Sequence, residues 1–82
     1  MPYNPDFGAV FSRILDGRRL STLEEAYIYF EGSISKATIS NWQKGMPAPR
    51  EGARVLRQVL QRLSREEADE LQAATERPRV GA

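Results

Sequence analysis

The sequence predicts an all-α fold, a compact bundle of about five short helices. Three observations support this prediction. Apolar residues recur at the three- and four-residue spacing of an amphipathic helix, and no segment alternates as a half-buried strand does. Residues typical of helix ends separate the apolar segments. With 82 residues, the chain has room for one domain and one modest core.

The first helix is predicted over residues 7–16. Its apolar stripe consists of Phe7, Val10, Phe11, Ile14 and Leu15. Asp6 is placed to cap the start of this helix. Gly17 is expected to adopt the left-handed conformation with which many helices end.

The second helix is predicted to begin at a capping box, in which a hydroxyl and a carboxylate each satisfy a backbone amide. Two frames fit: Ser21 with Glu24 or, shifted by one residue, Thr22 with Glu25. The inward face is expected to consist of Leu23, Ala26, Tyr27 and Phe30. Tyr29 lies off this stripe, which leaves it either at an interface or exposed.

The third helix is predicted over residues 35–44, after a break at residues 32–33. The serine at its start can cap it, and Gly45 is expected to be a left-handed stop. Ile39 and Trp42 face inward at helical spacing. This spacing favours Trp42 as a core anchor over a stacking platform for single-stranded nucleic acid.

Residues 46–49 are predicted to form an extended loop, because a residue that precedes proline is excluded from the helical region. Pro49 suits the first turn of a fourth helix. The apolar face of this helix is expected to consist of Val55, Leu56, Val59, Leu60 and Leu63. A capping box of Ser64 and Glu67 opens a fifth helix. Its inward residues are Ala68, Leu71 and Ala74.

These elements define a predicted domain of residues 1–74 and a flexible tail of residues 75–82. The chain has no Cys and no His, which argues against disulfides, thiol chemistry and the usual zinc sites. A metal site built only from carboxylates is left open, but no spacing suggests one, and no cofactor is expected. No apolar run approaches the roughly 18 residues of a membrane helix, so we expect no membrane span and a cytoplasmic protein. An enzyme is not expected, because the glutamate pairs at 24–25 and 66–67 lie at helix starts.

Charge is distributed unevenly along the chain. Residues 33–65, the basic segment, carry seven Lys or Arg and a single acidic residue. The flanking segments, 1–32 and 66–82, are both net acidic. A local positive field of this kind indicates a polyanionic partner. Part of this positive charge has an alternative explanation, since Arg50, Arg54 and Arg57 also fit the solvated side of an amphipathic helix.

Two stretches carry a resemblance to a known family. They read TLEEA at residues 22–26 and ISKATISNWQKG at residues 34–45, followed by Pro49 and Arg50. This pattern resembles the lambda-repressor-like, or Xre/Cro-type, helix-turn-helix domains, and the five-helix layout extends the likeness over residues 6–74. The turn between the second and third helices is about two residues longer than is usual in that family.

The resemblance implies that residues 35–44 form the reading helix, which enters the major groove of double-stranded DNA. By this resemblance, Lys36 and Ala37 match the first base-reading positions of the family. Lysine can donate to guanine, and an alanine methyl can contact the methyl group of thymine. Thr38 and Asn41 match positions that touch bases or nearby phosphates. Ser40 shares their exposed side.

The resemblance also implies contacts to the phosphate backbone. Lys44 and Arg50 match positions that clamp the backbone after the reading helix. The amides at the start of the second helix, near Thr22, are expected to face a phosphate. Ser35, at the start of the reading helix, completes the predicted interface.

Two functions are therefore considered. The first is a sequence-specific DNA-binding transcriptional regulator, such as a bacterial or phage repressor, that acts as a homodimer on a two-fold site. The second is a protein-interaction module of helix-turn-helix type, polymerase-binding or antitoxin-like, with weak DNA binding or none. The acidic fifth helix and the tail are possible surfaces for a protein partner.

Overall fold

The computed structural model describes residues 3–46, 49 and 52–76. This part of the chain holds five α-helices and no strand, which confirms the predicted all-α fold. The helices are α1 (Pro5–Gly17), α2 (Leu23–Tyr29), α3 (Lys36–Lys44), α4 (Arg54–Leu60) and α5 (Arg65–Glu76). None of them has the length and apolarity needed to cross a membrane. The Cα radius of gyration, 11.6 Å, is close to the roughly 11.7 Å of a compact domain of this length.

Helix α1 lies at the centre of the core and packs against α3 and α5. Aromatic contacts set this packing: the rings of Phe7 and Phe11 lie 5.3 and 5.4 Å from the Trp42 ring of α3, both edge-on. Phe11 also stacks on Phe30 at the end of α2. The largest fully buried side chains are Phe7, Phe11, Leu15, Phe30, Ile34, Ile39, Leu56, Val59 and Leu71.

The start of α1 differs from the prediction. Asn4, not Asp6, is the N-cap, since its Oδ1 accepts a hydrogen bond from the Phe7 amide at 3.0 Å. Asp6 lies within the first turn. Pro5 explains the shift, because a proline has no amide to satisfy and its φ suits the first helical position.

The end of α1 also differs. Gly17 stays within the helix and is not left-handed; Arg19 adopts the positive φ, at 59°. The amides of Arg19 and Leu20 then bond back to the carbonyls of Asp16 and Leu15. Leu20 packs against the core, so burial of this side chain, rather than the position of the glycine, decides where α1 ends.

Of the two capping frames for α2, the structure contains the second. The Thr22 hydroxyl accepts from the Glu25 amide at 3.1 Å, and the Glu25 carboxylate accepts from the Thr22 amide at 3.1 Å. Ser21 donates its hydroxyl to the same carboxylate. These bonds lower the pKa of Glu25, because hydrogen bonds favour the charged form.

The prediction for the face of α2 is half wrong. Ala26 and Phe30 are buried as expected, but Leu23 and Tyr27 are 37% and 39% exposed. Tyr29 is the tyrosine that packs against the core, half-buried and with its ring edge-on to Phe30. The inward direction of this two-turn helix is rotated away from Tyr27, since the Tyr29 hydroxyl finds partners in the Arg18 guanidinium and the Arg62 carbonyl.

Helix α4 is shorter than predicted. It begins at Arg54, so Pro49 is not in its first turn, and Gly52 makes a left-handed turn before it. Leu56 and Val59 are buried, whereas Val55 is 38% exposed. At about 100° per residue, Val55 lies about a quarter turn away from the centre of the buried face.

Helix α5 begins as predicted. The Ser64 amide donates to the Glu67 carboxylate at 2.9 Å, and the Glu67 amide donates to the Ser64 hydroxyl at 3.2 Å. Leu71 and Ala74 are buried. The helix continues through Glu76, two residues beyond the predicted domain end, and residues 77–82 of the predicted tail lie outside the described residues.

Candidate nucleic-acid interface

Helix α3 is anchored by two side chains on its inner face. Ile39 is fully buried, and Trp42 inserts its ring against Phe7 and Phe11 of α1. The sequence predicted both residues as inward, and both are confirmed. A helix held at two successive turns in an aromatic core has little freedom to roll, so its outer face has a fixed direction.

The two ends of α3 agree with the prediction. At its start, the Ser35 hydroxyl accepts from the Thr38 amide at 3.1 Å and lies 2.8 Å from the Thr38 hydroxyl. At its end, Gly45 is left-handed, with φ of 77°. The amides of Gly45 and Met46 donate to the carbonyls of Trp42 and Asn41, both at 3.0 Å, which is the bonding of a Schellman motif.

Close backbone contact fixes the end of α3 against α1. The Asn4 amide donates to the Gly45 carbonyl at 2.8 Å. A Cβ atom on Gly8 would lie 2.8 Å from the Gln43 carbonyl oxygen and the Gly45 nitrogen, so only glycine permits this approach. The Asn4 side chain extends the junction, because its Nδ2 donates to the Ala74 carbonyl of α5 at 2.9 Å.

The outer face of α3 carries four of the predicted contact residues. We call this set the reading face: Ala37, Ser40, Asn41 and Lys44. Their spacing places them on one side of the helix, opposite Ile39 and Trp42. Ala37 and Lys44 are exposed, and Ser40 and Asn41 are half-buried. Two further predicted residues flank this face, with Lys36 exposed and Thr38 half-buried.

Tyr27 of α2 lies beside the start of α3. The Lys36 ammonium is 5.7 Å from the centre of the Tyr27 ring, within the range of a cation–π contact. The sequence placed Tyr27 in the core and so missed this contact. Its position on an apolar stripe gave no signal that the ring would face a lysine nine residues later.

The start of α2 is less suited to a phosphate than predicted. The amide of Thr22 is already bonded to the Glu25 carboxylate, and Glu24 and Glu25 both lie in the first turn. An incoming anion would meet these two negative charges. The structure therefore places Thr22 in a helix cap, and its contact with a phosphate stays a prediction.

Ion pairs divide the basic residues into two groups. Arg13, Arg18 and Arg62 pair with Glu70, Glu67 and Glu31 respectively. Within the part of the chain that the structure describes, four basic residues of α3 and α4 have no acidic partner: Lys36, Lys44, Arg54 and Arg57. Arg50, a predicted backbone contact, lies outside the described residues.

A partly buried polar network holds α2 in place next to α3. The Arg18 guanidinium bonds to the Glu67 carboxylate and donates to the Tyr29 hydroxyl at 2.6 Å. Tyr29 in turn donates to the Arg62 carbonyl at 2.7 Å. The Arg18 hydrogen bond lowers the pKa of Glu67, and the same bond raises the pKa of Arg18. The network links α1, α2 and α5, so it fixes the helix on which α3 rests.

Asn4 is the structural residue that the sequence analysis missed. A signal was present, since an asparagine directly before a proline fits an N-cap followed by the first helical position. Its second bond, to Ala74 seventy residues away, has no signal in the sequence.

Comparison of the chain with protein-family models, curated proteins and solved structures finds no match.

Proposed function

We propose that this chain is a sequence-specific, double-stranded DNA-binding protein that regulates transcription and reads the major groove with α3. The observation that carries the proposal is the two-sided character of α3. Its inner side is anchored by Ile39 and Trp42, and its outer side presents hydrogen-bonding and unpaired basic side chains. A reading helix requires both properties.

Each residue of the reading face has a chemical role in this proposal. Asn41 can form two hydrogen bonds with adenine, one through the oxygen and one through the nitrogen of its side-chain amide. Lys36, which flanks this face, can donate to guanine. Ala37 offers a methyl group to thymine, and Ser40 can bond to either a donor or an acceptor. Lys44, at the end of the helix, is the backbone contact.

The charge arrangement supports the same partner. Arg13, Arg18 and Arg62 are neutralised by acidic residues of α5 and of the α2–α3 turn, whereas the described basic residues of α3 and α4 have no acidic partner. Two of these unpaired residues, Lys36 and Lys44, lie at the two ends of α3, so positive charge flanks the reading face. DNA phosphates are the polyanion that this field fits, because counterion release from DNA supplies binding free energy for each neutralised phosphate.

A homodimer is part of the proposal. A nine-residue helix contacts only a few base pairs, and two copies on a two-fold site double the contact area. A regulator of this kind acts where the chromosome lies, so the proposed location is the cytoplasm of a bacterium or of a phage host. Neither catalysis nor a cofactor enters the mechanism, since occupancy of the site is itself the regulatory event.

A fluorescence-anisotropy titration at several salt concentrations tests this proposal. The positive charges of Lys36, Lys44, Arg50 and Arg54 neutralise about three to four phosphates per subunit, so a dimer should give a log–log slope of about −5 to −7. Lys44→Gln should flatten this slope by about one unit per subunit. Arg13→Gln is the matched control, because Arg13 already pairs with Glu70 on the α1–α5 side. A slope near zero on the best available duplex would contradict DNA binding.

One observation favours the second function, a protein-interaction module. Ile28 on the outer side of α2 is 65% exposed, more than any other large hydrophobic residue in the described part of the chain. It follows the acidic first turn of the same helix. If the affinity for DNA does not depend on salt and Ile28→Ala abolishes capture of a protein partner, the protein-interaction function replaces DNA binding.

A further inference from the structure

Tyr27 bridges the turn between α2 and α3. Its ring lies 5.7 Å from the Lys36 ammonium, and its backbone carbonyl accepts from the Gly32 amide at 3.1 Å. The hydroxyl lies against the turn, since a Cβ on Gly32 would be 3.3 Å from it. One side chain therefore connects the supporting helix, the longer turn and the first residue of α3.

Lys36 is an unfavourable residue for the stability of α3. It occupies the first helical position, where the positive end of the helix dipole repels a cation. The first turn of α3 has no acidic residue, and no described carboxylate pairs with this lysine. The negative face of the Tyr27 ring offsets part of this repulsion. A placement that costs stability is typical of a residue with another role.

The side chain of lysine is a poor reader of bases when it is free. It is a point charge on a flexible four-carbon stem, and it loses rotamer freedom when it binds. A contact that restricts the stem before binding reduces that loss. The Tyr27 ring faces the ammonium of Lys36 from the supporting helix, so it is placed to provide this restriction.

We infer that Tyr27 is a positioning residue, whose ring holds the Lys36 ammonium at the edge of the reading face. The inference rests on the proposed DNA-binding function and adds to it a specificity-determining residue outside α3. Loss of the ring should weaken binding to the cognate duplex by about two- to fivefold, the worth of an exposed cation–π contact. Binding to random-sequence duplex should change less, because base reading contributes little there.

The contact itself is tested in the free protein. Proton NMR should show the Lys36 methylene protons nearest the ammonium shifted upfield by the ring current of Tyr27. Tyr27→Leu should abolish this shift, whereas Tyr27→Phe, which keeps the ring, should preserve it. Ile28→Ala is the control on the same helix, since Ile28 is exposed and lies on the outer side. A Lys36 shift that is unchanged in Tyr27→Leu overturns the inference.

A double-mutant cycle tests the consequence for binding. Tyr27→Leu, Lys36→Met and the double variant are titrated with a duplex selected by the wild-type chain and with a random-sequence duplex of equal length. If Tyr27 acts through Lys36, the double variant binds the selected duplex no more weakly than Lys36→Met alone. If the two losses multiply, the positioning role is wrong although DNA binding stands. If the wild-type chain shows no salt-dependent binding to either duplex, the proposed function fails and the reading role of this contact fails with it.

Discussion

Replacing Gly45 by alanine should be among the most damaging single-methyl changes in this protein. The position is left-handed, with φ of 77°, which costs about 1 kcal/mol for alanine after the gain from a less flexible unfolded chain. The added Cβ would also lie 2.5 Å from the carbonyl oxygen of Asn4, a backbone atom that cannot rotate away. Displacing this junction adds about 1–3 kcal/mol. We expect a total loss of about 2–4 kcal/mol.

Two other glycines separate these contributions. Gly52 has the same φ of 77°, and no atom of the described residues lies within 4 Å of its Cβ position, so Gly52→Ala should cost about 1 kcal/mol, the conformational part alone. Gly17 lies in α1 without a positive φ, and no atom of the described residues lies within 4 Å of its Cβ position, so Gly17→Ala should stabilise by about 0.5–1 kcal/mol. The difference between Gly45→Ala and Gly52→Ala then isolates the contact with Asn4.

Urea denaturation followed by circular dichroism at 222 nm measures these differences as changes in midpoint at constant m-value. A domain of this length is stable by about 4–12 kcal/mol, so the loss expected for Gly45→Ala is readily resolved. Equal losses for Gly45→Ala and Gly52→Ala would show that α3 does not end against Asn4. The account of how the reading helix is fixed would then be wrong.

Three further predictions concern acid stability, the helix junction and base reading. The pKa of Glu67 is lowered in the folded protein, so the ionised carboxylate stabilises the fold above the unfolded pKa of about 4.3, and this stabilisation is lost as the pH falls through the folded value. Glu67→Gln should therefore flatten the fall of the melting temperature below about pH 4.5. The same fall of melting temperature in the variant and the wild type would contradict this. Asn4→Asp keeps the cap oxygen but loses the donor to Ala74, which should cost about 1–3 kcal/mol in urea denaturation; a neutral effect would show that this bond is dispensable. Asn41→Ala should cost about 1–3 kcal/mol on a selected duplex and little on random duplex, whereas Lys44→Ala should weaken both by similar factors, as measured by anisotropy; the reverse pattern would mean a different docking.

Local rules were sufficient for α3. A serine cap, apolar residues three positions apart and a terminal glycine describe one helix, and each rule involves only neighbours in the chain. Ser35, Ile39, Trp42 and Gly45 were therefore predicted correctly from their letters. The same holds for the capping box of Ser64 and Glu67 and for the number and order of the helices.

The sequence alone could not decide between local conformations of nearly equal free energy. The stripe of α2 permitted Tyr27 to face inward. Only contacts with the Arg18 guanidinium and the Arg62 carbonyl, both distant in the chain, made Tyr29 the tyrosine that packs against the core. Likewise, Gly17 was the residue most able to turn left-handed, yet burial of Leu20 placed that turn at Arg19.

What the tertiary structure decided follows one physical rule. Local preferences differ by a few tenths of a kcal/mol to about 1 kcal/mol, whereas burying an apolar side chain or satisfying a buried polar group contributes about as much or more. Where these terms agree, as along α3, the sequence alone determines the structure. Where they compete, as at Tyr27 and Gly17, packing against residues distant in the chain wins, and that packing exists only once the chain has folded.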